Sequence, residues 1–259
     1  MGFFYFDESI HEKDGFIIGA FIYYRADITP SVFGALTEVG LRPGIDEFKS
    51  SAKMAAVPEQ IKARGRLRCL LDGVSTGIVV IPSAEREKLG DEAILGLGKI
   101  LQANDLLVKL HQVFLDQGIS VTGAALEIFR KGPGRLCEVH VNQDSKVIGG
   151  IQLADLAAHS MSVMLLEQMG LFKKMVKAGG NSGYDPELEI ELGFELWASL
   201  RYSFFKAPHP KPGPIPDDPV GELIFDVENY GLHIAATCSG RLREAALARF
   251  GECYLGCIH

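Results

Sequence analysis

An α/β architecture, a mixed central sheet with helices packed on its faces, is the fold class this sequence predicts, and three observations predict it. Two apolar, β-forming runs open the chain, separated by a short turn, as in an antiparallel strand pair. Segments with helical periodicity then alternate with short β-branched runs. The 259 residues are 47% hydrophobic, with a mean hydropathy of +0.13, enough apolar material to cover a sheet on both sides.

The first run, Phe3-Phe4-Tyr5-Phe6-Asp7-Glu8-Ser9, is apolar and aromatic until it ends on two carboxylates. Bulky residues in that density suit a strand buried on both faces. A turn over 9–15 and the run Phe16–Tyr24 supply its antiparallel partner. Residues 31–40, behind Pro30, suit a short helix, and 45–48 a short edge-like element carrying Glu47. From Val57 to Val74 the pattern is helical, with Pro58 placed for a first turn, and Gly77–Ile81 is a compact β-branched strand. The stretch 85–115 reads as one long helical region with a break near Gly96 and Gly98. Residues 119–129 suit strand or helix, and Cys137–Asn142 alternates as a strand. Helices are expected from about Gly150 to Gly170 and from Pro186 to about Tyr202, the second with Asp185 as N-cap. Six of the twelve prolines fall between Pro208 and Pro219 and mark a linker or surface loop. A strand at Glu222–Val227 and a helix at Arg241–Phe250 follow. The expected organisation is a core over residues 1–170 and a helical, proline-rich C-terminal extension over 171–259, packed on that core.

Bulk properties narrow the function classes. No apolar run is long enough to span a bilayer; the best candidate, around 148–166, is interrupted by Gln152, Asp155 and His159. The start lacks the features of a secretory signal, and five cysteines suit free thiols in a reducing compartment, so a cytoplasmic location is expected. A net charge of −7 and a pI near 5.5 count against coating nucleic acid by charge alone. They leave room for a nuclease, whose ligand acids push the balance negative.

The carboxylates sit where chemistry uses them. Asp7 and Glu8 end a buried strand, and because strand side chains alternate, only one of them can face a given site. Either a divalent metal or a capped turn satisfies such an acid. The segment 142–159 ends a strand on Asp144-Ser145 and then starts an apolar helix. On that helix Gln152, Asp155, His159 and Ser162 fall on one narrow stripe among Ile, Leu, Ala, Met and Val. Such a stripe serves a site, or it hydrogen-bonds neighbouring backbone around a satisfied core histidine. Asp46-Glu47-Phe48-Lys49 is either part of the same site or an ordinary solvated charge pair.

Taken together, Asp7-Glu8-Ser9, Glu47-Phe48-Lys49, Asp144-Ser145 and Gln152-Leu153-Ala154-Asp155 resemble the signature of the prokaryotic domain-of-unknown-function family 3800, over roughly residues 3–165. One departure is Ile10, where that family has glycine after the D-E-S triplet. The resemblance implies a ribonuclease H-like fold. It also implies a metal-dependent phosphodiester hydrolase acting on RNA or DNA through Mg²⁺ or Mn²⁺. Asp7, Glu47, Asp144 and Asp155 would be its catalytic and metal-binding acids, and Lys49, Ser9 and Gln152 would contact substrate. His159 would shuttle a proton or remain structural. The alternative is a catalytically inactive ribonuclease H-like interaction module of a mobile-element or defence system.

Basic clusters at 62–68, at 130–135 and at Lys173, Lys174 and Lys177 are phosphate-contacting candidates or solvated surface. Cys253, Cys257 and His259, with Cys238, have a spacing foreign to standard zinc fingers. The common phosphate-loop, dinucleotide-binding and nucleophile-elbow motifs are absent.

Overall fold

A computed structural model describes residues 1–50, 57–178, 184–211 and 223–256. Its centre is a six-stranded mixed sheet in the order β5-β4-β1-β2-β3-β9, built from β1 (Gly2–His11), β2 (Phe16–Tyr24), β3 (Ser75–Pro82), β4 (His111–Asp116), β5 (Cys137–Gln143) and β9 (Leu232–Ile234). The helices are α1 (Thr29–Glu38), α2 (Pro58–Leu71), α3 (Leu89–Ala103), α4 (Gly123–Lys131), α5 (Gly149–Gln168), α6 (Leu192–Leu200) and α7 (Gly240–Phe250). Two ribbons complete the described residues: β6 (Met175–Lys177) with β7 (Glu189–Glu191), and β8 (Ile224–Asp226) with β10 (Glu252–Tyr254). The α/β class with a mixed central sheet is therefore observed.

β1, β2 and β3 form an antiparallel meander, while β4 and β5 run parallel to β1 on its other side. The turn between β1 and β2 is a single 3-10 turn (Glu12–Asp14) closed by Gly15, whose φ of 83° requires the freedom of glycine. β2 is buried from Phe16 to Tyr23 because helices cover both faces of the sheet centre. Gly19 sits under the Phe6 ring, where a Cβ would lie 2.3 Å from the ring.

The alternation along β1 assigns the two faces. Tyr5 packs against Gly150 of α5, and Ser9 bonds Ser162 of the same helix at 3.1 Å. Phe6 pairs across β2 with Phe21 and then Gly77, and Gly77 lies under Ile100 of α3. So α5 covers the face of Tyr5, Asp7 and Ser9, and α3 covers the face of Phe6 and Glu8. With 16 of its 20 residues buried, α5 is a core helix and not an amphipathic surface one. The described C-terminal residues return to the sheet, because β9 lies parallel to β3 with Val79 opposite His233.

Several local expectations are corrected. Residues 85–115 are not one helical region: α3 ends at Ala103, and His111–Asp116 is a strand whose residues are alternately buried and half-buried. Gly96 and Gly98 do not break α3; they let it press against His233 and Pro133. Residues 119–129 resolve as a loop and α4, whose N-cap Thr122 accepts from Ala125 N at 3.2 Å. Residues 45–48 form turns rather than a strand, because side chains of α5 and α2 supply their backbone partners. The helix expected from Pro186 begins only at Leu192. Glu189-Ile190-Glu191 alternates with period two and pairs with Met175–Lys177, and Asp185 caps a turn at Glu187 instead. The proline-rich stretch from residue 212 onward, Cys257 and His259 lie outside the described residues.

Candidate functional site

Contrary to the sequence expectation, Asp7 and Glu8 do not end β1, which runs on to His11; the site forms where the parallel ladder of β1 with β4 stops. Their register pairs Phe6 with Leu115 as its last rung, which brings the next residues, Asp7 within β1 and Asp116 at the end of β4, to neighbouring positions. Phe114 stacks on Tyr5 at 5.5 Å, so the alternation turns Asp116 to the face that Asp7 and α5 share. Beyond Phe114 the β4–β5 pairing carries a bulge, next to Asn142 with its positive φ of 55°, and the strand ends splay there.

Asp155 enters from α5. Ser50 N donates to its Oδ2 at 2.9 Å and Ser50 Oγ to its Oδ1 at 2.5 Å. One turn earlier on the helix, Gln152 Oε1 accepts from Phe48 N at 2.7 Å, and its Nε2 donates to Ser145 O at 2.7 Å. The polar stripe of α5 thus pairs with the backbone of residues 48–50 as a neighbouring strand would. From the other side, Gln60 of α2 accepts from Lys49 N at 3.0 Å and donates to Glu47 O at 2.8 Å. Phe48, fully buried, locks the segment in place. Glu47 accepts from Ser145 Oγ and pairs with Lys49 Nζ at 2.8 Å.

These acids feel one another. Burial pushes the Asp7 carboxyl well above the usual carboxylate range, and the charges of Asp116 and Asp155 push it further. Asp116 is raised by burial and by Glu47 and Asp155. Asp155 is raised by burial, against the bonds from Ser50 and the field of Lys49. Burial works against the Lys49 ammonium, yet Glu47, Asp7 and Asp155 hold its pKa above the ordinary lysine value. Lys49 is therefore a counter-charge set among the acids. Arg64 of α2, bonded to Ser50 O at 3.2 Å, also lies within the field of Asp155. His159, further along α5, is pushed down to about 4 by burial and then by Arg64 and other cations nearby, so it is neutral at pH 7.

The sequence-predicted residues separate into groups. Asp7, Glu47, Asp155 and Lys49 come together. Gln152 positions the segment that carries Glu47 and Lys49, and Ser9 joins β1 to α5 through Ser162. Asp144 holds the turn into α5: its Oδ1 accepts from Lys146 N at 2.8 Å, and its carbonyl from Val147 N and Ile148 N. Sequence reasoning missed Asp116, Ser50 and Arg64. No period-two pattern in the sequence marks Asp116, because Val113, Phe114 and Leu115 are all apolar; the alternation of β4 shows only in its burial.

Glu8 faces the opposite way, into a cleft of about 360 Å³ with Arg86, Gly90 and Gly118 among its walls. Its buried Oε2 has no hydrogen-bond partner among the described residues. Among those residues no three His, Cys, Asp or Glu side chains are gathered closely enough to grip one metal ion, and no helix is long and apolar enough to cross a membrane. Compared with protein-family models and with curated proteins, the chain matches none.

Proposed function

We propose that the protein is a divalent-metal-dependent phosphodiester hydrolase of ribonuclease H-like architecture, acting on RNA or DNA. The observation that carries this reading is that Asp7 of β1, Asp116 of β4 and Asp155 of the core helix α5 share one face of the sheet, all raised by burial, Asp7 further by Asp116 and Asp155, Asp116 by Asp155, and Asp155 by Glu47. A buried Asp7 repelled by two half-buried acids is a standing cost unless a cation or proton joins them. The strand order β3-β2-β1-β4-β5, with β4 and β5 parallel to β1, supports the ribonuclease H-like reading. So do the short motifs around Asp7, Glu47 and Asp155.

The donor set tests the fit of Mg²⁺ or Mn²⁺. Carboxylate oxygens are the hard ligands these ions take. One oxygen of Asp7 accepts from Glu8 N at 2.7 Å. The donor type fits; as they stand no three of these acids are close enough to grip one ion among the described residues, so Asp7, Asp116 and Asp155, with Glu47 beside them, would have to draw together to hold it. When bound, such an ion activates water and stabilises the leaving oxygen of an in-line displacement. The protein's own contribution is placement. Ser50 fixes both oxygens of Asp155, Gln152 and Gln60 fix the segment 47–50, and Lys49 and Arg64 offer positive charge to a phosphate beside the acids.

In the reaction, water oxygen adds to phosphorus, the P–O ester bond breaks, and the leaving oxygen takes up a proton. The test is Mn²⁺-dependent cleavage of single-stranded, double-stranded and hybrid substrates. Asp116→Asn and Asp155→Asn should each fall to background with the fold intact. Activity that survives both, or that resists chelation, would overturn the reading. A second reading, a non-catalytic module of the same architecture, draws on Asp155, whose two oxygens are already satisfied by Ser50. Absence of cleavage on every substrate favours it.

A further inference from the structure

The most developed cavity outside the acidic site lies on the α3 side of β9. It encloses about 440 Å³ between α3, the turn 228–231, β9 and α7, a size that admits a small-molecule ligand. Ile100, Leu232, Ile234 and Leu247 line it together with two cations, Lys99 and Arg243.

Both cations are braced from behind. Lys99 Nζ lies 3.0 Å from Nδ1 of His233, and Nε2 of that ring lies 2.6 Å from Glu92 Oε2. An ammonium only donates, so Nδ1 is the acceptor and Nε2 carries the proton that Glu92 accepts. His233 is 3% exposed, which leaves the ring little freedom, and the lysine it receives is held with it. Gly96 makes this contact possible, because a Cβ there would sit 3.0 Å from His233 Cβ. Glu92 lies on the far side of the imidazole, so the positive end of the relay faces the cavity. Arg243 Nη2 donates to Ala235 O at 2.8 Å, which fixes the guanidinium while leaving its other N–H groups to the cavity. Opposite them, Asn104 donates to Tyr230 O at 2.9 Å and steadies the turn that carries Glu228 and Tyr230.

A pair of pre-positioned cations at one end binds an anion at low entropic cost. The apolar lining residues and Tyr230 suit a flat ring. Glu228, the only carboxylate among the described residues lining the cavity, suits a ligand whose other end donates a hydrogen bond. We infer that this cavity is a binding site for a nucleotide-sized phosphomonoester. The phosphate would lie on Lys99 and Arg243, and the amino-bearing ring would lie over Ile100 and Leu247 toward Glu228. The site is separate from the acids of β1, β4 and α5 and does not depend on the reading given to them.

Titration calorimetry on the full chain tests the inference with adenosine monophosphate, uridine monophosphate and inorganic phosphate as separate probes. Adenosine monophosphate should bind with a Kd below about 1 mM and more tightly than inorganic phosphate. The amino-free uridine monophosphate should fall between them. Lys99→Met and Arg243→Lys should each weaken binding by about tenfold. Because Arg243→Lys keeps the charge and much of the packing, thermal melting of both variants separates lost binding from lost fold. Asp155→Asn should bind as the parent does. Undetectable binding of all three probes overturns the inference, and so does binding indifferent to both cation variants or abolished by Asp155→Asn.

Discussion

At Asp7 the chain keeps a carboxyl group that burial and two neighbouring acids hold above its ordinary range. A carboxyl raised in the folded state binds protons more tightly there than in the unfolded chain. Its stabilising contribution is therefore complete at low pH and is lost as pH rises through the folded value. Asp7→Asn removes that loss, so at neutral pH without divalent ions it should melt higher, by roughly 2–4 °C. His159 acts in the opposite sense. Its folded value of about 4 lies below the ordinary histidine value of 6.5, so stability should drain away as pH falls between the two, by roughly 3 kcal/mol at most. Melting from pH 7 to pH 4 in the parent, Asp7→Asn and His159→Gln separates the contributions. His159→Gln should flatten the acid limb, and Asp7→Asn should steepen the fall toward low pH. An acid limb unchanged in both would remove these two groups as its cause.

Among the elements, α5 couples fold and site most directly. Gly150 sits on the Tyr5 ring, where a Cβ would lie 2.5 Å from ring carbons, with no flexible chain end to yield. Gly150→Ala should cost about 1–3 kcal/mol in denaturant unfolding and shift Asp155 away from β1. Any cleavage activity should then fall further than the stability loss alone explains. The same helix shows what the sequence makes legible. Its polar stripe stood out because Gln152 and Asp155 interrupt an otherwise apolar helix, and β1 stood out because aromatic density ended on acids. β4 did not, because the consecutive apolar residues Val113, Phe114 and Leu115 carry no period of two and extend the apolar helical pattern before them, and Asp116 was hidden with it. The segment 45–50 could not be read as irregular, because its partners are side chains, Gln60 of α2 and, more than a hundred residues later, Gln152 and Asp155 of α5. Asp144 looked equivalent to Asp155 in sequence; only the hydrogen bond to Lys146 N shows it holding a turn.

At the scale of the whole molecule, the excess of acid at the site links ion binding to global stability. Mn²⁺ should raise the melting temperature by mass action on the folded state, and the increment should vanish in Asp7→Asn and in Asp116→Asn. A parent melting curve indifferent to millimolar Mn²⁺ would leave the module reading ahead.

The parallel pairing of β9 with β3 carries a different consequence, for the order in which the molecule can be made. The last strand of the sheet is separated from its partner by about 150 residues of chain, so during synthesis β3 waits with one side open. That side is Ile78-Val79-Val80, an apolar β-branched run of the kind that recruits foreign strands. A chain stopped near residue 170 would keep every acid of the site and still present this bare edge. It should accumulate as aggregate, and a peptide spanning residues 228–238 supplied during refolding should return part of it to solution.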